Sequence, residues 1–376
     1  MHGVLRHALA CFLLALTLAP PAGASVAYPS RGAWQVTTAV RQALGGRLGA
    51  VMTAVDTDGT LWALPTDAPP VVLAQNLVSD GVITDLAWNP TRPELLLVRT
   101  MGDVRAGPYE QLVRLDLSSG AQAGLLPDAI GPQAVLTRPR YAPDGSWAYA
   151  RVSCCAGSDV LLLDESGPHL VATHAFLQQS PDDQCRSAFD AALGATADGR
   201  LLIQITCFAN TPAEQHTDFY LVPRDFSGGE QLGSYDGTPI SWLGVSPDGA
   251  RAFGIQSAEA DEESLISVGI ADGVAQVIES PIPTTLELAE RSVVAADGRI
   301  AMGIGPMPPV WYPGADRLTS IAVISPDGSS IELPQAAYRD GLPTLTAFAW
   351  APSSVLSMLS NQTAGPWKQL GPASGR

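Results

Sequence analysis

Four cysteines outside the N-terminal apolar run are the residues whose types and spacing suggest chemistry first: Cys154, Cys155, Cys185 and Cys207. An even number of cysteines indicates disulfides when a chain is exported. Adjacent cysteines seldom bridge each other, because the small ring strains the peptide between them. Two pairings therefore stay open, Cys154 with Cys185 and Cys155 with Cys207, or the reverse. The alternative is a thiolate metal site, but the spacing matches no standard zinc pattern.

A second group of candidate residues is acidic or aromatic and falls in long segments between apolar stretches. Such side chains bind a cationic ligand, a sugar or a partner protein. The group consists of Tyr109, Glu214, His216, Asp218, Asp261, Glu262, Trp311 and Tyr312. The alternative for 259–263 is a solvated acidic loop that keeps the protein soluble, because runs of charge are usually solvated. The alternative for Trp311 and Tyr312 is packing onto the protein itself.

A repeated motif indicates which elements position these residues. An apolar segment, a turn of the Pro-Asp-Gly type and a second apolar segment recur at intervals of 49 to 56 residues. The turns are centred near positions 90, 143, 197, 247, 296 and 352. Proline presets φ, aspartate caps the turn, and glycine accepts the positive φ that closes it. Strand-like segments without a helical pattern between the copies predict four-stranded blades of a β-propeller.

The two ends of the chain complement each other. Residues 51–73 contain strand-like segments around Asp56-Thr57-Asp58-Gly59 but lack the inner-strand motif. Residues 345–360 contain that motif, and only a Gly/Pro-rich tail follows it. Strands from both ends would complete one shared blade and leave no open edge. We therefore predict an all-β fold, a six-bladed β-propeller with one blade shared between N- and C-terminal strands.

The repeats resemble those of a known family. Val245-Ser246-Pro247-Asp248-Gly249 and Tyr141-Ala142-Pro143-Asp144-Gly145 look like the repeats of TolB-type, WD-repeat-like six-bladed propellers. The resemblance covers residues 51–360 and implies the fold. These turns are structural parts of a blade and imply no function. Unlike TolB itself, the sequence predicts no clear separate N-terminal α/β domain, since residues 25–50 offer only a short helix candidate at Thr37–Leu44.

The predicted topology gathers the candidate residues on one face. In an up-and-down blade, the connections after the second strands and the connections between blades emerge opposite the Pro-Asp-Gly turns. We expect the cysteines to form two disulfides that join neighbouring blades on that face. The long loops 100–109, 207–217, 257–263 and 305–317 lie there as well, and loops of this length on a rigid ring usually carry the function.

Several common enzyme motifs are missing from the sequence. It has no Gly-x-Ser-x-Gly elbow, no His-Glu-x-x-His, no P-loop and no dinucleotide-binding fingerprint. We therefore predict neither catalysis nor a cofactor or metal. The alternative is a hydrolase or lactonase-like enzyme that uses carboxylates at the central channel. Buried acidic side chains with a raised pKa would favour that alternative. A third reading, a structural part of an envelope assembly, would be favoured by a large apolar patch on the loop-bearing face.

Export is predicted from the first residues. Arg6, an apolar run from Ala8 to Ala19 and Ala22-Gly23-Ala24 form a signal peptide pattern. The run is too short to span a membrane comfortably, although an uncleaved anchor is the alternative. We predict a signal peptide at 1–24, an N-terminal extension at 25–50, a propeller at 51–360 and a flexible tail at 361–376. The protein would be periplasmic or extracellular.

The net charge of −16 argues against a nucleic-acid partner. No later segment is long and apolar enough for an integral membrane span. From the sequence we therefore predict a secreted, non-catalytic, monomeric propeller that binds a protein or carbohydrate ligand through its loop-bearing face. The protein would act in the cell envelope or outside the cell.

Overall fold

The fold was analysed in a computed structural model of the chain. It describes residues 27–28, 33–34, 51–64, 70–77, 81–101, 109–125, 135–154, 157–171, 188–196, 198–207, 216–236, 240–246, 249–257, 263–278, 288–295, 298–304, 320–325, 331–332 and 345–361. About three quarters of these residues belong to β-strands. The predicted helix Thr37–Leu44 lies outside the described residues.

The strands of the N-terminal part come first in the chain. They are β1 (Ala27–Tyr28), β2 (Ala33–Trp34), β3 (Val51–Asp56), β4 (Leu61–Leu64) and β5 (Val71–Gln75). Blade 1 follows with β6 (Val82–Trp88), β7 (Glu94–Met101), β8 (Tyr109–Asp116) and β9 (Gln122–Gly124). Blade 2 contains β10 (Val135–Tyr141), β11 (Ala148–Cys154), β12 (Gly157–Asp164) and β13 (Gly167–Val171).

Three further blades repeat the four-stranded pattern. Blade 3 contains β14 (Ala188–Ala195), β15 (Arg200–Cys207), β16 (His216–Pro223) and β17 (Glu230–Asp236). Blade 4 contains β18 (Ile240–Val245), β19 (Arg251–Ser257), β20 (Glu263–Gly269) and β21 (Ala275–Ile278). Blade 5 contains β22 (Leu288–Val294), β23 (Ile300–Ile304), β24 (Ser320–Ile324) and β25 (Ile331–Glu332). The last elements are β26 (Leu345–Ala351) and helix α1 (Ser353–Asn361).

Blade 6 draws its strands from both ends of the chain. Its order is β2-β5-β4-β3-β26, and β26 pairs antiparallel with β3 from Leu345 opposite Asp56 to Ala351 opposite Val51. The N-terminal part thus supplies three of the four blade strands. The short strands β1 and β2 add a fifth strand to the outer edges of blades 1 and 6. The sequence analysis did not predict these two edge strands.

The blades pack into a closed ring around their first strands. The first strand of each blade is the inner one, and inner strands of neighbouring blades contact each other, as β26, β6 and β10 do in sequence. Six clusters of buried apolar side chains fill the six joints between neighbouring blades. A propeller buries its apolar surface between blades, so this arrangement confirms the predicted six-bladed β-propeller.

The inner strands share two local features. Each one has an irregular register against the second strand of its blade, and bulges of this kind bend and twist a strand. Most of the turns that follow close as the sequence predicts. The Gly145 N–H donates to the Ala142 carbonyl oxygen at 2.8 Å, and Gly145 has a φ of 69°. Gly199, Gly249 and Gly298 repeat this bond and a positive φ.

Helix α1 was not predicted from the sequence, and the predicted tail at 361–376 lies outside the described residues except for Asn361. The helix begins directly after Pro352, where the other blades have their first turn. Val355, Leu356 and Leu359 are buried in the apolar cluster between blades 6 and 1. Their spacing places them on one face of a helix. The helix therefore covers one end of the joint between blades 6 and 1, where the two chain ends meet.

Candidate binding face

The two faces of the ring differ in their connections. One face, called here the loop face, carries the connections between second and third strands and those from blade to blade. The other, called the turn face, carries the connections between first and second and between third and fourth strands. On the loop face 102–108 join β7 to β8, and 305–319 join β23 to β24. The corresponding turn-face connections, such as 89–93, are short.

The charge of the connections also differs between the faces. In the loop-face connections acidic residues outnumber arginines by fourteen to four, against nine to three in the turn-face connections. The larger total on the loop face comes from its longer connections, since the acidic excess is about one charge per ten residues on both faces. A surface with such an excess attracts cations and the basic surfaces of other proteins.

His216 and Asp218 lie together at the loop-face end of β16. The Nε2 atom of His216 is 3.8 Å from Oδ2 of Asp218. Asp218 also accepts hydrogen bonds from Ser234 Oγ, from Gln231 Nε2 at 3.1 Å and from the Tyr220 hydroxyl at 3.5 Å. The sheet register produces this cluster, because Asp218 lies opposite Ser234 in β17. Of the eight predicted binding-face residues, these are the two whose side chains the structure describes.

The hydrogen bonds around Asp218 are not arranged as in the active site of a serine hydrolase. A catalytic triad needs the histidine between the serine and the carboxylate, so that the histidine accepts the serine proton. Here the Ser234 hydroxyl donates to the carboxylate itself. Burial and the Asp218 carboxylate raise the pKa of Tyr220 to about 12, so this tyrosine is a neutral donor at physiological pH. The cluster therefore presents a partly exposed carboxylate held in one orientation.

Two other carboxylates dock the inner strand of blade 2 onto blade 1. Asp85 in β6 accepts the Arg138 N–H at 2.8 Å, and Glu110 in β8 accepts the Leu136 N–H. Asp85 also accepts the N–H of Leu86 at 2.8 Å. Backbone donors thus engage both carboxylates. Sequence reasoning missed these residues, although an aspartate inside the apolar strand Val82–Trp88 is a local signal.

Arg138 adopts a backbone conformation that needs support. Its φ is 53°, in the left-handed region, and it precedes Pro139, which disfavours helical conformations further. Residues in such sparsely populated regions persist where their surroundings over-determine them. The hydrogen bond from the Arg138 N–H to Asp85 is one such constraint. The bend that it fixes lies in the irregular register of β10 with β11.

Carboxylates of the turn face are used within their own turns. The Ser146 N–H and hydroxyl lower the pKa of Asp144, and the Ser166 hydroxyl lowers that of Asp164. Hydrogen bonds from Arg200 and Thr196 lower the pKa of Asp198 to about 2. A lowered pKa keeps a carboxylate ionised, and these groups cap turns as the sequence predicts. These carboxylates therefore have a structural role, which is to stabilise their turns.

The remaining predicted residues fall into two groups. Tyr109 begins β8 at the loop face, while Cys154 and Cys207 end the second strands of blades 2 and 3 at that same face. The others lie outside the described residues: Cys155, Cys185, Glu214, Asp261, Glu262, Trp311 and Tyr312. Within the described part of the chain, no three His, Cys, Asp or Glu side chains are grouped to hold a metal ion. No helix there is long and apolar enough to cross a membrane.

Comparison with known proteins agrees with this architecture. No protein-family model matches the chain, and no curated protein matches it. A TolB structure from Acinetobacter baumannii is 17% identical, with a TM-score of 0.51, covering 84% of this chain and 71% of that one. A structure of the nidogen/laminin complex is 11% identical, with a TM-score of 0.50, covering 81% and 99%. A gluconolactonase from Xanthomonas campestris is 13% identical, with a TM-score of 0.41, covering 84% and 89%.

The first two likenesses bear on the fold, because identities this low carry no information on activity. They agree with the resemblance seen in the Pro-Asp-Gly repeats. The chain is a six-bladed β-propeller that resembles TolB at the level of the fold.

Proposed function

We propose that this chain is an exported, non-catalytic propeller that binds a protein or carbohydrate partner through its loop face. The greater length of the loop-face connections is the observation that carries the proposal. The loop face has the longer connections and the larger acidic excess. A rigid ring with variable loops on one face is an efficient binding platform.

The net charge of −16 favours a partner with a basic surface. Acidic and basic surfaces attract each other over several ångströms, and this attraction speeds encounter and weakens with salt. The oriented Asp218 carboxylate, with its partly exposed neighbour His216, would contribute to such a surface. Among the described carboxylates near the inner strands, Asp85 and Glu110 are bonded to backbone N–H groups. This bonding favours a structural use over acid–base chemistry.

A face-specific crosslinking experiment tests the proposal. A photoreactive p-benzoylphenylalanine replaces Thr57 or His216 on the loop face, and Glu165 or Ser227 on the turn face. Thr57, Glu165 and Ser227 are exposed, so these substitutions leave the core intact. After irradiation with envelope and extracellular fractions of the source organism, we expect one discrete adduct from both loop-face positions, weakened by salt.

Two results would contradict the proposal. Equal adducts from both faces, or adducts from the turn face alone, would refute binding through the loop face. Hydrolysis of δ-gluconolactone by the purified protein above the spontaneous rate would refute the non-catalytic part and favour the channel-enzyme alternative.

Export and disulfides belong to the same proposal. Cys154 and Cys207 end second strands of neighbouring blades on the loop face, which is where bridges between blades 2 and 3 would form. Peptide mapping of the secreted, non-reduced protein is expected to show a start at Ser25 and two bridges among the four cysteines. A protein that begins at Met1 with four free thiols would contradict both export and the disulfides.

A further inference from the structure

The outer edges of the blades are protected in different ways, with one exception. An exposed edge strand offers unpaired backbone groups to other chains, and proteins usually cover or blunt it. Strand β1 covers β9 of blade 1, and β2 covers β5 of blade 6. Strand β13 of blade 2 carries Pro168, which cannot donate a backbone hydrogen bond. Blade 5 ends in a strand of two residues, Ile331–Glu332.

Charged residues protect the outer strand of blade 3 from pairing with another chain. Strand β17 begins at Glu230 and ends at Asp236, and a register shift at Phe219/Tyr220 interrupts its pairing with β16. Charged residues and bulges are both devices that discourage pairing with another chain. Five of the six outer edges therefore carry a protective feature.

Within the part of the chain that the structure describes, strand β21 of blade 4 has none of these features. It is the last strand of its sheet, and its sequence Ala-Gln-Val-Ile contains no charge and no proline. Val277 is 65% exposed, and Val274, which immediately precedes the strand, is 52% exposed. Among the described residues, the large apolar side chains with such exposure are these two and Met358 on α1. Two of the three thus lie at one unprotected edge.

The same chain shows that an outer edge of this ring accepts an added strand. Ala27 and Tyr28 pair antiparallel with β9, and Ala33 and Trp34 pair antiparallel with β5. The two short strands β1 and β2 thus extend two neighbouring blades. The geometry of the blades is therefore compatible with strand addition at their rims.

Charge distinguishes between two possible occupants of the β21 edge, a second copy of this chain and a basic segment of another protein. The strand is flanked in sequence by Asp272 and Glu279, and the whole chain has a net charge of −16. A second copy would bring the same acidic residues and the same net charge to the edge, which disfavours self-pairing. A basic segment would be attracted instead.

We propose that the β21 edge is a second binding site, which takes an extended segment of another protein with apolar alternate positions flanked by Lys or Arg. The segment would hydrogen-bond to the backbone edge of β21, and its apolar side chains, which lie on one face, would cover Val277. This is β-strand addition, in which the main chain provides affinity and alternate side chains provide specificity. The site lies on the rim of blade 4 and is separate from the loop face.

A synthetic peptide provides the test. It contains three Thr-Val repeats with a Lys-Arg pair at each end, and the control peptide has Glu-Asp pairs instead. Amide hydrogen exchange of the full chain is measured with and without each peptide. We expect the basic peptide to slow exchange about tenfold or more at 274–278, and the acidic peptide to leave it unchanged.

Two matched variants locate the site. Val277→Asp introduces a residue that strands disfavour, while its carboxylate still attracts the basic peptide. A loss of binding would therefore come from the lost apolar edge. Met358→Asp makes the same change at an exposed position on α1 and should bind like the unchanged protein. Thermal unfolding of both variants checks that they are folded, as the exposure of Val277 and Met358 predicts.

Each contrary outcome overturns the proposal. Unchanged exchange at 274–278, equal effects of both peptides, or binding that survives Val277→Asp would refute basic strand addition at this edge. A dimer in sedimentation velocity that Val277→Asp dissociates would identify a second copy as the occupant.

Discussion

Replacing Thr53 by valine is expected to lower the free energy of unfolding by about 1–3 kcal/mol, because it leaves a buried donor without its acceptor. The Thr53 hydroxyl accepts a hydrogen bond from Trp88 Nε1 at 2.8 Å and donates one to the Ala349 carbonyl oxygen at 2.8 Å. It thereby links β6, β3 and β26. Thr53 is fully buried and Trp88 is nearly so. Valine has the same shape as threonine, so packing is retained while both bonds are lost.

The control for Thr53→Val is Thr53→Ser, which keeps the hydroxyl and removes one methyl group. The serine variant is expected to cost about 1 kcal/mol or less, from lost apolar burial. Chemical denaturation followed by tryptophan fluorescence measures both variants. If Thr53→Val cost no more than Thr53→Ser, the hydroxyl would have no role in closing the ring.

A double-mutant cycle with Trp88→Phe isolates the bond between the two side chains. Residues in direct hydrogen-bonded contact show coupling energies of about 0.5–3 kcal/mol. We expect coupling within this range between Thr53→Val and Trp88→Phe. Purely additive effects would mean that the two side chains act separately, whatever the cost of each single change.

The position of Trp88 recurs around part of the ring. Trp350, also near the end of an inner strand, donates to the Val293 carbonyl oxygen of blade 5 at 3.1 Å. Tyr141 donates to Glu94 of blade 1 at 2.7 Å, and its burial and the Glu94 carboxylate raise its pKa. Three successive joints, from blade 5 to blade 2, therefore each carry a polar bond near the turn face. Because apolar contacts have no preferred direction, such hydrogen bonds help to fix how neighbouring blades are oriented.

The repeats allowed the fold to be predicted, because each copy contains the local signals of its own strands and turn. The segment Ile240 to Ala250 predicts an inner strand and a turn, and the structure has β18 at Ile240–Val245 with Gly249 at a φ of 70°. Proline, aspartate and glycine act locally here. Their effect therefore needs no knowledge of the rest of the chain.

Elements outside the repeat were missed for a different reason. Helix α1 follows Pro352, and the motif Ala349-Trp350-Ala351-Pro352 reads as another blade turn. The apolar residues Val355, Leu356 and Leu359 have helical spacing, which is the signal that could have found it. Strands β1 and β2 have two residues each. Their pairing depends on edges that are distant in sequence, so no local pattern identifies them.

The candidate site was less predictable than the fold, because it also depends on contacts between residues that are distant in sequence. His216 and Asp218 were predicted because they lie in one loop-flanking segment. Their partner Ser234 joins them only through the register of β16 with β17. The docking of β10 by Asp85 and Glu110 depends on contacts between blades. Such contacts need the assembled ring, which a single sequence does not show.

Glu110→Ala is expected to destabilise the protein by about 2–3 kcal/mol, because it removes the acceptor of two buried donors. Glu110 accepts the Leu136 N–H, and it accepts the Thr100 hydroxyl at 3.4 Å. Thr100 in turn lies 3.3 Å from the Thr84 hydroxyl, so a chain of polar groups crosses blade 1 and ends on blade 2. All these groups are buried. The measurements are chemical denaturation and amide exchange at Leu136, which should become faster in the variant.

Glu110→Gln is the matched control, because a glutamine carbonyl oxygen can still accept the Leu136 N–H while the negative charge is lost. We expect it to cost less than about 1 kcal/mol and to leave exchange at Leu136 slow. A cost for glutamine equal to that for alanine would show that the charge matters more than the docking bond. If alanine changed neither stability nor exchange, the docking of blade 2 on blade 1 would not depend on Glu110. In that case the docking of β10 would have to be assigned to Asp85 and to the packing around Leu136.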